Sequence, residues 1–118
     1  MIEGIMIIEN TLLEKRASLE KLIQQNARTR SEVEAILEIF PDSNSWAHVA
    51  SEDAKHILRA CRAEARVAYK AFNPNRPSDK DIHPEIVRLA TIHFDERRET
   101  LVDSLAKNET HLNKLRST

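Results

Sequence analysis

Apolar residues recur along this chain at three- and four-residue steps, and no stretch alternates one by one as a half-buried strand does. The stretch around which the rest must fit is Ser51 to Phe72, SEDAKHILRACRAEARVAYKAF. Ser51 is a good N-cap, and Glu52 and Asp53 place acids at the positive end of the helix dipole. At about 100° per residue, Ala54, Ile57, Leu58, Cys61, Ala65, Ala68 and Phe72 share one face. Ala60, Ala63, Val67 and Ala71 form a second, smaller face. Between the two, Lys55, Arg59, Arg62, Arg66 and Lys70 gather within about 80° of arc as a basic ridge. A helix apolar on two sides is expected between neighbours, so this segment is read as the middle helix of a bundle.

Upstream, a heptad fits from Ile5 onward. Ile5, Leu12, Leu19, Asn26, Val33 and Phe40 take one seam position, and Ile8, Lys15, Leu22, Thr29 and Ile36 the other. The seam turns polar at Asn26 and Thr29, which leaves two readings. A continuous helix would run about 54 Å, with Asn26 as a polar layer that sets register. Alternatively the helix breaks between Asn26 and Arg30, and Ser31 to Glu34 forms a capping box for a second one. The lack of glycine and proline in this stretch favours continuity.

Phe40-Pro41-Asp42-Ser43-Asn44-Ser45 reads as the end of that helix, with Trp46 beyond it as a core plug. Asn73 to Pro84, with three prolines, is the one real linker. A last helix from Pro84 to about Leu115 carries Ile86, Leu89 or Ala90, His93 or Phe94, Leu101, Leu105, Asn108, Leu112 and Leu115 along its seam. The expected architecture is therefore all-α. Three to four helices, at about 5–40, 46–72 and 84–115 with a linker at 73–83, form one domain over 1–118. The long first and last helices make a coiled-coil-like bundle around the central one. A first helix of that length exceeds what so small a compact domain needs. A second copy is the nearest source of matching surface. Ile5, Ile8, Leu12, Leu19, Leu22, Leu101, Leu105 and Leu112 are the expected seam of a homodimer or higher oligomer.

Composition agrees with helices. One glycine and four prolines in 118 residues are too few turn formers for a sheet protein. A net charge of −1 gives no overall pull toward nucleic acid or anionic membrane. The lone Cys61 cannot form an internal disulfide, and its place on the apolar face makes it a small buried hydrophobe. The start, MIEGIMII, lacks a basic segment and a long apolar run, so neither a signal peptide nor a membrane span is expected. The expected location is cytoplasmic.

Candidate chemistry is sparse. Asp53-x-x-His56 and His93-x-x-Glu96 each share a helix face, but an antiparallel pairing of their helices sets the two pairs too far apart for one metal. No metal or cofactor is expected. A single glycine, at position 4, allows no phosphate-binding loop. Arg88-Leu-Ala-Thr-Ile-His93 resembles the R-x4-6-H motif of the HEPN ribonucleases, an all-helical and often dimeric family. That resemblance implies RNA cleavage by Arg88 and His93. On a regular helix these two point about 140° apart and converge only across a kink or a dimer axis.

Helix packing without catalysis is the expected mode of action: an adaptor, chaperone, inhibitor or regulator. Its partners would be a second copy and an acidic protein surface met by Lys55, Arg59, Arg62, Arg66 and Lys70. The alternative is a nucleic-acid-binding regulator using the same ridge, although Glu52 and Asp53 would repel phosphate where a recognition helix usually reads bases.

Overall fold

The computed structural model describes residues 2–39 and 48–117. It is all-helical: α1 runs Ile2–Ile39, α2 Glu52–Lys70 and α3 Asp79–Arg116. The expected turn Phe40–Ser45 and Trp46 lie outside the described residues, and α2, expected from about residue 46, starts at Glu52. No described helix is long and apolar enough to cross a membrane.

α1 does not break at Asn26. It passes through Asn26–Arg30 as helix, and Arg30 uses Glu34 one turn on as an ion-pair partner at 2.8 Å. The Ser31–Glu34 motif therefore lies inside a helix and starts none. α3 begins five residues before Pro84, the expected start. Ser78 caps it: the Asp81 carboxylate accepts both the Ser78 backbone N–H at 3.0 Å and its hydroxyl at 2.9 Å. The Asp81 N–H in turn donates to Ser78 Oγ at 3.3 Å. These bonds hold the Asp81 carboxyl below its usual range. Pro84 is accommodated inside the helix. It lies within the second turn, where it costs a single backbone bond.

Packing gathers in two compact units, one of Ala27–Asp95 and one of Met1–Asn26 with Glu96–Thr118. In the first, the end of α1, all of α2 and the start of α3 enclose one core. Val33 and Ile36, Ala54, Leu58, Cys61 and Ala65, and Ile82, Ile86, Ala90 and Phe94 supply it. Polar contacts fix the ends of these helices. The Glu32 carboxylate on α1 accepts the Ser51 backbone N–H and hydroxyl, both at 2.7 Å, while Ser51 Oγ accepts the Ala54 N–H as N-cap of α2. One α1 side chain thus orders the cap of the next helix. His83 Nε2 lies 2.8 Å from the Leu37 carbonyl oxygen, one of the last carbonyls of α1, which has no basic residue of its own in its last turn. Arg30 also reaches Asp95 at 2.6 Å, and its hydrogen bonds to Glu34 and then to Asp95 raise its pKa.

The second unit is an antiparallel helix pair. Glu9 meets Arg116 at 3.2 Å and Arg16 meets Glu109 at 2.8 Å. Leu19, Leu101, Leu112 and Asn108 are buried between the helices, with Leu12 and Leu105 partly so. The Asn108 Nδ2 donates to the Leu12 carbonyl oxygen at 3.1 Å, while its buried Oδ1 has no hydrogen-bond partner among the described residues. The excess length of α1 is thus matched by the equally long α3 of the same chain.

Two predictions follow from these contacts. Replacing Asn108 with leucine removes an unsatisfied buried carbonyl at similar volume, so the denaturant midpoint should rise, by about 1 kcal/mol of stability. A lower midpoint would mean that Oδ1 finds a partner in solution. For Glu32, hydrogen bonds from Ser51 hold the carboxyl below its ordinary range. Its contribution is therefore complete above the unfolded value of about 4.3 and is lost as pH falls through the lower folded value. Glu32→Gln should cost about 1 kcal/mol at pH 7, and the gap to wild type should close in melts below about pH 4.

Candidate partner-binding surface

α2 combines one buried stripe with one wet face. Ala54, Leu58, Cys61 and Ala65 are buried, and Ile57 partly so. The second stripe, expected to be covered as well, is exposed: Ala60, Ala63 and Ala71 face solvent, and Val67 is 72 % exposed. The reason is that α1 and α3 both meet α2 on its first stripe. Two neighbours on one side close the core, and no described element lies over the other side. Ala68 is also exposed. Phe72, expected on the inner face, is 88 % exposed because α2 stops at Lys70, ahead of Asn73-Pro74. Cys61 is buried as expected, and burial pushes its thiol pKa up, which keeps it a packing group.

The basic ridge divides. Arg62 makes a two-pronged pair with Asp79 at the start of α3, Nε to Oδ1 at 2.9 Å and Nη2 to Oδ2 at 3.0 Å, both side chains about one-fifth exposed. Arg66 stands 3.8 Å from the same carboxylate, and Lys55 pairs with Glu52 at 3.3 Å. Arg59 and Lys70 are exposed. Asp79 falls in the stretch that the sequence marks as linker, but as the first residue of α3 it ties the two helices together. Arg62 is therefore part of the fold, and the surface a partner could meet is Arg59, Lys70 and the outer edge of Arg66, beside Ala60, Ala63 and Val67.

The expected oligomer seam divides as well. Leu19, Leu101 and Leu112 are buried inside this one chain, so they offer nothing to another copy. Leu12 and Leu105 are partly covered in the same pair. Ile5, Ile8 and Leu22 remain exposed, next to exposed Met6 and Ile7. The HEPN-like residues are not brought together. α3 is continuous, Arg88 turns back to Glu85 one turn before it, and His93 is exposed with its ring edge-on to Phe94 at 5.2 Å. His93 is thus outside the core, unlike Phe94. No group of three histidine, cysteine, aspartate or glutamate side chains is placed for a metal among the described residues.

One feature has no counterpart among the expected sites. Leu37, Val87, Ala90, Thr91 and Phe94 line an apolar groove of about 230 Å³ between α1 and α3, with Glu34, Glu38 and His83 at its edge. None of its lining residues comes from α2. The sequence did carry a signal in the adjacent apolar pairs Ile36-Leu37, Ile86-Val87 and Leu89-Ala90. These widen each stripe beyond what one neighbour covers. Comparison with protein-family models, characterised proteins and solved structures finds no match.

The division of the ridge makes a direct prediction. Arg62→Ala should lower stability by about 1–3 kcal/mol, because it strands a largely covered Asp79 carboxylate. Arg59→Ala should stay within about 0.5 kcal/mol of wild type. Urea unfolding of the two variants checks the contrast, and equal losses would mean that Arg59 also supports the fold.

Proposed function

We propose that this chain is a helical protein–protein interaction module that works by packing rather than by catalysis, with the outer face of α2 as its contact surface. The observation that carries this reading is the juxtaposition of exposed Val67, Ala63 and Ala60 with exposed Arg59 and Lys70 on one helix. An apolar centre with a charged margin is the usual anatomy of a contact surface. Small side chains let a partner helix approach closely, and the cationic margin selects an acidic one. Exposed Ile5, Met6, Ile7 and Ile8 offer a further apolar area on the first helix.

Arg59→Glu with Lys70→Glu should remove capture of acidic partners from extract of the source cell and leave the melting temperature unchanged. Both residues are exposed and neither holds the core. Undiminished capture by the folded double variant would show that this face is merely solvated.

A further inference from the structure

We propose that the acidic surface recognised by the outer face of α2 is the α1–α3 groove of a second copy of this chain. The inference rests on the reading of α2 as a contact surface and names its partner. The two surfaces match in shape class and in charge. The groove is apolar along Leu37, Val87, Ala90 and Phe94, and its α1 rim carries Glu34 and Glu38, both exposed. Glu34 is shared with Arg30 at 2.8 Å yet stays 60 % exposed. The opposing face is apolar along Ala60, Ala63 and Val67, and its margin carries Arg66 and Lys70, with Arg59 about two turns before Arg66.

Spacing supports the match. Glu34 and Glu38 are one helical turn apart, and so are Arg66 and Lys70, so each pair spans about 6 Å along its own axis. With small residues between them, two such helices can come close enough to place Val67 in the groove beside Val87 and Leu37. Val67 and Val87 are both exposed in the isolated chain, at 72 % and 39 %. Their joint burial supplies the apolar term and the paired charges supply register. Since the groove has no lining residue from α2, a chain can offer both surfaces at once, in a heterologous contact.

The test uses the purified full chain, by sedimentation across a range of concentrations at low salt. Wild type should associate above the 13.6 kDa of one chain, and added salt should weaken it. Two variants each reverse one side: Glu34→Lys with Glu38→Lys, and Arg59→Glu with Lys70→Glu. Each alone should lose about tenfold or more in self-affinity. Mixed together they should associate again, because each then meets a complementary surface. Thr91→Arg, which places a cation in the groove from an exposed helix position, should block wild-type association without unfolding α3. Circular dichroism confirms that each variant is folded. A wild type that stays at one chain mass at every concentration overturns the proposal, and so does a mixture no tighter than its components. Capture from extract reports on the contact-surface reading separately. Lysine-dependent capture by a strictly monomeric chain would leave that reading standing while removing the second copy as partner.

Discussion

Burial of one α2 stripe against α1 and α3 is the constraint on which the three-helix unit depends. Of the α2 core residues Ala54, Cys61 and Ala65 are small and only Leu58 is large, so most of the bulk must come from across the interface, and Phe94, Ile82, Ile86 and Val33 provide it. Leucine-sized and larger groups contribute about 1.5–3 kcal/mol each on full burial, so the larger share of the core energy comes from α1 and α3. α2 contributes closeness of approach. That closeness makes its polar anchors effective: Glu32 on the Ser51 cap at one end and Asp79 on Arg62 farther along. Each anchor is a charged group with near-ideal geometry and partial cover. That is the regime in which an ion pair or charge-assisted hydrogen bond adds to stability instead of dissolving into solvent.

Much of this architecture was legible in the sequence, for identifiable reasons. Ser51 had the residue type, the following acids and the apolar run of a helix start, and it is the cap of α2. Continuity of α1 followed from the lack of any breaker between Gln24 and Arg30. The start of α3 was not legible at Pro84, because proline is tolerated inside an early helical turn as well as at its first position. The Ser78–Asp81 pair was the better signal, a short-side-chain version of the capping box. The wet side of α2 is not legible in the sequence for a different reason. A helical wheel ranks faces by polarity, but it cannot count how many neighbours the rest of the chain can bring. Alanine sits at no great cost on either side of a boundary, so an alanine-rich second stripe carries little information about burial.

The same limit applies to the long seam. Leu19, Leu101 and Leu112 of that seam are buried within this chain, whereas Leu22 is exposed. Whether such a seam closes on its own chain or on another depends on where the last helix turns back, which spacing does not encode. Asn108 fits this view. A buried amide with one bond made, to Leu12, and one acceptor unmatched costs stability. A polar residue in a helical seam is best understood as a device that penalises shifted pairings, since any slip would strand both of its polar ends.

Charge on α2 therefore has two uses that a sequence pattern cannot separate. Lys55, Arg59, Arg62, Arg66 and Lys70 follow one helical ridge at three- and four-residue steps, yet the roles of the arginines diverge with the position of a single carboxylate. Asp79 takes Arg62 strongly and Arg66 weakly because α3 begins beside that turn. Arg59 and Lys70, beyond its reach, keep their charge in solvent, where it acts over about a Debye length and steers encounters more than it stabilises the fold. If α3 started at Pro84, as the prolines suggested, Asp79 would belong to a loop and Arg62 would have no fixed partner. The start of α3 thus decides which cations build the molecule and which can meet another one.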